Sequence, residues 1–196
     1  MRSRATVGGH DRLRLFCALR LPDDVVASLV SWQATLADAD VRTLPADHLH
    51  VTLAFLGSRP AAVVETIVEV VRHVARDARV PLFRVSRYRE TPRVGMLVLQ
   101  EELVPGDTYV GRANELAGAL MRQLEELGVY ERERRGWMPH VTVARFRVPP
   151  RLVPELPQLA AFSPSGVALY SSELHPTGSR YRVLESCSLG NEEPGG

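Results

Sequence analysis

The chain has 196 residues, of which 45% are hydrophobic and 24% charged, with a formal net charge of +1. That length can bury a substantial core as one large domain or two joined lobes. The near-neutral balance gives no global preference for nucleic acid, so any phosphate recognition must be local. All 24 basic residues are arginine, which excludes a Walker-type phosphate loop, a Schiff-base mechanism and a ligase adenylylated on lysine.

Residues 1–11 carry arginines and glycines without a following apolar stretch, so they lack the middle segment of a secretory signal and read as a flexible N-terminal arm. No apolar run approaches the ~20 residues needed to cross a bilayer. The expectation is a cytoplasmic protein with no membrane partner. Cys17 and Cys187 each sit in an apolar, strand-like run and read as two buried structural thiols, with no disulfide framework or metal cluster.

Leu13 to Leu19 reads as a buried strand, after which Pro22, Asp23 and Asp24 supply a helix start and Val25, Val26, Leu29, Val30 and Leu36 keep helical spacing. Val41 to Leu44 is a short strand broken by Pro45, and Leu49 to Leu56 a longer one ended by Gly57. A second helix begins near Pro60. Its residues Val63, Val64, Ile67, Val68, Val71 and Val74 recur at i, i+3, i+4 and i+7, which outweighs the strand preference of so many valines.

Leu82 to Tyr88 and Val94 to Leu99 read as two strands joined around Thr91, Pro92 and Arg93. A third helix runs from an Asp107 cap through Leu116, Leu120, Leu124 and Leu127 to a stop at Gly128. A charged loop, Tyr130 to Pro139, leads into a strand from His140 to Val148, closed by Pro149 and Pro150. Val167 to Leu174 and Tyr181 to Leu189 complete the strands around a Pro176 to Gly178 turn, and 191–196 read as a flexible tail. Residues 12–190 are expected to form one domain.

A short repeat carries the chemistry. His50-Val51-Thr52-Leu53-Ala54-Phe55 matches His140-Val141-Thr142-Val143-Ala144-Arg145 at four of six positions. Strand alternation puts His50 and Thr52 on one face, with Val51, Leu53 and Phe55 turned into the core, and the second copy repeats the arrangement. Two such strands can present two imidazoles and two hydroxyls to one cleft. Hydrolysis of a phosphodiester needs a base for the nucleophile and an acid for the departing oxygen, which two histidines supply near neutral pH. Threonine hydroxyls can donate to the non-bridging oxygens, so the chemistry requires no metal or cofactor.

Nearly the whole chain resembles the 2H phosphoesterase superfamily, and within it the RNA 2′,3′-cyclic phosphodiesterases, also called 2′-5′ RNA ligases. The resemblance is carried by Arg14-Leu15-Phe16, by the run from His48 to Gly57, and by the run from Pro139 to Arg145; Leu169-Tyr170-Ser171-Ser172 with Gly178 and Tyr181 is a weaker match. It implies an α+β fold of two pseudo-symmetric lobes, each an antiparallel sheet with outer helices, around a central cleft. It also implies hydrolysis of an RNA 2′,3′-cyclic phosphate to a 2′-phosphate, one histidine activating water and the other protonating the leaving 3′ oxygen. We assign His140 as base and His50 as acid, and expect a monomer acting on an RNA end or a small cyclic-phosphate nucleotide.

Arg145 matches the arginine such proteins use on phosphate, and its planar fork suits an oxyanion. Strict alternation nevertheless turns Arg145 away from His140, so reaching the phosphate requires a bulge, a strong twist or a long side-chain detour. Val143 and Trp137 depart from the family's usual residues without touching the proton chemistry.

Other readings stand beside these. A lone strand histidine is more often structural than catalytic, and it is the duplication that changes the balance. His48 with His50 resembles a metal pair, but no Cys or carboxylate cluster completes it. Phe16 is equally a base-stacking residue or core. Arg132, Arg134 and Arg135 contact RNA or form an ordinary solvated loop. His10, His73 and His175 receive no role. The same motifs also fit a 2′-5′ phosphodiesterase, reversible 2′-5′ ligation, a nucleotide cyclic phosphate as substrate, or a noncatalytic RNA-end binding module.

Overall fold

A computed structural model describes residues 12–36, 40–175 and 178–190. The N-terminal arm with His10, the C-terminal tail, and Pro176 and Thr177 of the expected turn lie outside the described residues.

Among the described residues, eight strands join one antiparallel sheet. They are β1 (Arg12–Arg20), β2 (Val41–Thr43), β3 (His50–Pro60), β4 (Leu82–Glu90), β5 (Val94–Glu102), β6 (His140–Phe146), β7 (Gly166–His175) and β8 (Gly178–Cys187), in the order β4-β5-β6-β3-β1-β7-β8 with β2 added to β6. The helices are α1 (Asp23–Gln33), α2 (Val64–Asp77) and α3 (Arg112–Glu126). The fold is α+β, and its two lobes are the halves of this sheet on either side of a seam between β3 and β6.

The seam is narrow. β3 and β6 share one registered pair, Val51↔Val141, while β2 takes the next stretch of β6 from Ala144 to Phe146. The two central strands therefore meet at their His-x-Thr ends and are wedged apart beyond them.

The helices cover one face. Leu29 of α1, Ile67 and Val71 of α2, and Leu120 and Leu124 of α3 pack with Leu15, Leu19, Val51, Leu97, Val141 and Leu169 of the sheet in one core. Each fully buried Leu, Ile or Val contributes ~1.5–3 kcal/mol, so the valine-rich α2 is held helical by what its buried stripe covers. A small second cluster, Phe16, Ala18, Ala168 and Tyr170, lies apart from it with Tyr181 packed alongside. These residues belong to the opposite, helix-free face of the sheet.

The two copies of the repeat share one irregularity. Opposite β1 the register passes from Ala18↔Thr52 to Cys17↔Ala54, and opposite β5 from Met96↔Thr142 to Gly95↔Ala144. Leu53 and Val143 are thus extra residues, and each bulge flips the alternation that follows it. Leu53-Ala54 and Val143-Ala144 are both buried in succession, after which Phe55 and Arg145 emerge exposed. Phe55, expected in the core, is 48% exposed.

Three other expectations are corrected. β3 continues through Gly57 to Pro60, because Gly57, at φ 69°, passes a further bulge at Leu56 that glycine accommodates. Asp107 does not cap α3: its carboxylate accepts from the Thr108 and Tyr109 amides and pairs with Arg112. The helix starts at Arg112, where the Glu101 carboxylate of β5 accepts from the Gly111 and Ala113 amides at 3.1 Å each. Cys17 is buried, but Cys187 is only half-buried. The Gly128 stop agrees with the structure, the Gly128 and Val129 amides donating to the Glu125 and Leu124 carbonyls across a positive-φ glycine.

The second bulge has a buried clamp. The Val143 carbonyl accepts from the Leu44 amide at 3.0 Å and from Gln33 Nε2 at 2.7 Å, and the same amide group donates to the Leu44 carbonyl at 3.0 Å. Gln33 is only 4% exposed, so replacing it with an apolar residue strands buried acceptors. Gln33→Leu is expected to lower unfolding free energy by about 1–3 kcal/mol in urea titration; unchanged stability would show that the clamp contributes nothing.

Candidate active site

The seam places the two motifs. Continuing the Val51↔Val141 register by one residue each way sets His50 opposite Thr142 and His140 opposite Thr52. His50 and His140 are then diagonal neighbours on one face, a relation that a regular ladder puts at about 7 Å between backbones. All four residues are half-buried, while Val51 and Val141 between them are buried in the core. The charge of His140 acts on the His50 ring, as their proximity requires.

The imidazoles differ in their surroundings. His140 Nδ1 lies 2.8 Å from the Met138 carbonyl; only an N–H can meet a carbonyl, so in the neutral ring Nε2 is the unprotonated nitrogen. In the other lobe the His48 carbonyl acts on His50 and raises its pKa, but outside full hydrogen-bond geometry, leaving Nδ1 buried without a partner. His50 stands against a wall of rings: Phe16 at 5.1 Å, Tyr170 at 5.9 Å and Tyr181 at 5.7 Å between centroids. Burial, followed by the charges of His48 and His140, pulls the His50 pKa from 6.5 down to about 4.

Phe16 belongs to that wall. It is 4% exposed and stacked on Tyr170 at 4.8 Å, so it backs His50 and presents no open face to the cleft. The exposed aromatic is Phe55, with the Arg14 guanidinium 4.8 Å over one side of its ring. The repeat contained that signal, because Phe55 occupies in the first copy the position of Arg145 in the second. Tyr170 and Tyr181 come from β7 and β8 through sheet order, which no local pattern reveals.

Two cavities flank the histidines. One, of about 50 Å³, is lined by Arg42, His48, Arg145, Ser179 and Tyr181. Here the bulge has turned Arg145 to the cleft face. His48 stacks on Tyr181 at 4.1 Å; its pKa is lowered by burial and, against the opposing effect of Asp47, by Arg145 and Arg42. The other cavity, of about 480 Å³, begins at Thr52 and His140 and extends past Phe55 to Trp137. The Trp137 indole donates to the Thr52 carbonyl at 2.9 Å and ties the loop before β6 to β3. His73 and His175 lie elsewhere, in carboxylate contacts with Asp77 and Glu173.

Two imidazoles, two hydroxyls and an arginine share one helix-free face, a set of groups chemically suited to a phosphate. Residues 19–97 match the family model described as LigT like phosphoesterase. The chain is 33% identical over 191 residues to an RNA 2′,3′-cyclic phosphodiesterase of Thermus thermophilus, covering 92% of each chain. It is 29% identical over 156 residues to a protein of the same name from Thermotoga maritima, covering 73% of this chain and 76% of that one. Among solved structures, a Thermus thermophilus protein superposes with a TM-score of 0.75 at 31% identity, covering 90% of this chain and 98% of that one. E. coli LigT complexed with 3′-AMP shares the fold at 21% identity and a TM-score of 0.73, covering 92% and 100%. This chain belongs to the LigT-like phosphoesterases of the 2H superfamily and is an enzyme of the phosphodiesterase class.

The depressed His50 pKa has a consequence for stability. The unfolded chain takes up this proton near pH 6.5 and the folded one only near pH 4, so the contribution is complete above pH 6.5 and is lost as pH falls toward 4. Ring titration of His50 by NMR should give a midpoint near 4, and urea midpoints should fall across that window less steeply in His50→Gln than in wild type. A ring midpoint near 6.5 would remove the burial argument.

Proposed function

We propose that the protein hydrolyses RNA 2′,3′-cyclic phosphate ends to 2′-phosphate ends, without a metal ion or cofactor, using His140 as general base and His50 as general acid. The observation that carries this reading is the seam register, which sets each histidine beside the other strand's threonine. The names of the Thermus and Thermotoga relatives support the substrate.

In this mechanism His140 Nε2 removes a proton from water, whose oxygen forms the new bond to phosphorus. The bond to the 3′ oxygen breaks, and His50 protonates that oxygen. A 2′-phosphomonoester and a 3′-hydroxyl result, and solvent returns the two rings to their starting states. Thr52 and Thr142 donate to the non-bridging oxygens, Arg145 faces the anion from the small cavity, and the open side of Phe55 receives the terminal base. His50 backed by Phe16, Tyr170 and Tyr181 holds its proton weakly until an anion arrives, since nearby negative charge favours the imidazolium. The substrate itself thus charges the acid.

One chain supplies both motifs, so the reading is of a monomer. The free thiols fit a reducing compartment and a cytoplasmic location. Among the described residues no helix is long and apolar enough to cross a membrane.

The test is hydrolysis of an oligonucleotide ending in a 2′,3′-cyclic phosphate, in EDTA, followed by mass and regiochemical analysis. The expected product has gained one water and bears a 2′-phosphate; no gain, or a 3′-phosphate, contradicts the reading. His50→Ala and His140→Ala should each lower kcat by about 10²–10⁴ while remaining folded. A p-nitrophenyl phosphodiester, whose leaving group needs no proton, separates the roles: His50→Ala should retain far more of its rate on it than His140→Ala. The reverse ranking would exchange acid and base.

A further inference from the structure

The cavities beside the histidines are too unequal to serve the same purpose. The one at Arg145, about 50 Å³, is little more than the ~30 Å³ share of one water molecule, so it holds phosphate oxygens and no nucleoside. The one beyond Thr52 and His140, about 480 Å³, falls within the roughly 300–1,000 Å³ of small-molecule sites. A chain whose terminal phosphate lies between the histidines therefore finds room for its last nucleoside on one flank, past Phe55 and Trp137.

The far wall on that side is formed by the loop between α3 and β6, with Arg89 of β4 beside it. The loop is anchored at several points. The Arg132 amide donates to the Glu125 carboxylate at 3.1 Å, Trp137 is bonded to Thr52, and the Pro139 carbonyl accepts from the Leu99 amide at 2.9 Å. The Arg132 guanidinium also meets Glu125, at 3.5 Å.

Arg134 and Arg135 are exposed at the cavity wall, and among the described residues neither has a carboxylate within ion-pair distance. Glu133 lies in the same wall but pairs with neither. An anchored loop thus holds, at the edge of a nucleoside-sized cavity, two guanidiniums that have no ion-pair partner among the described residues, with Glu133 and Arg89 in the same lining. That is a local anion site, where a guanidinium fork matches a phosphodiester.

We infer that the large cavity takes the terminal nucleoside and that Arg134 and Arg135 bind the phosphodiester on its 5′ side, so the enzyme prefers an RNA chain to a nucleoside cyclic phosphate. This rests on the proposed activity and names the part of the substrate that sets specificity. Base identity matters little to such binding, because groups that hold phosphates position a strand without reading its sequence.

The test compares kcat/KM for a trinucleotide ending in a 2′,3′-cyclic phosphate with that for the matching nucleoside 2′,3′-cyclic phosphate, in wild type and in Arg134→Ala/Arg135→Ala, between 50 and 200 mM salt, a range over which phosphate binding shows strong salt dependence. Wild type should favour the trinucleotide by about tenfold or more, the size of one charge-assisted hydrogen bond. The double variant should lose about tenfold more kcat/KM on the trinucleotide than on the nucleoside substrate, with its folding checked separately by its urea midpoint. Its salt slope on the trinucleotide should flatten by roughly 0.7 for each phosphate that the arginines no longer neutralise. Equal use of both substrates by wild type, or an equal drop on both in the variant, overturns the inference. Wild type inactive on both substrates would overturn the functional reading, and this inference with it.

Discussion

The site depends on one registered residue pair. Val51 and Val141 are buried beneath the cleft, and their pairing alone joins the two halves of the sheet at the point where the histidines stand. A slip of one residue would turn the slipped strand's His-x-Thr face into the core and leave the two motifs on opposite faces, which apolar burial penalises. Just past the pair, β2 lies along β6 in place of β3. The same wedge that shortens the seam opens the cleft.

The repeated bulge is the second constraint. It lets each strand present a histidine and a threonine, bury two successive residues, and then return an exposed side chain to the same face: Phe55 in one lobe and Arg145 in the other. Two near-identical strands thereby build an asymmetric site, aromatic and roomy on one flank, cationic and tight on the other. The histidines differ in a parallel way. His140 is held by a main-chain acceptor, whereas His50 is half-buried against aromatic rings, and desolvation there is the leading cause of its low pKa.

Much of this was legible in the sequence, because strand and helix periods are local. The eight strands and three helices of the described residues and the duplicated histidines follow from short patterns, and the difficulty over Arg145 left a bulge among its alternatives. What local patterns missed came from elsewhere in the chain. The start of α3 is fixed by Glu101, ten residues before its first partner there at Gly111. The exposure of Phe55 results from a register shift, and the rings behind His50 arrive on strands more than 100 positions away, at Tyr170 and Tyr181. Gly57 resembled a terminator because a glycine in a bulge and one at a strand end carry the same local signal.

The claim under all of this is that both imidazoles address a single phosphate. Ring-nitrogen NMR of His50 and His140 during titration with a nucleoside 2′-phosphate tests it without requiring turnover. Both rings should shift together along one binding curve and saturate at one equivalent. Movement of only one ring, or two curves with different midpoints, would contradict it.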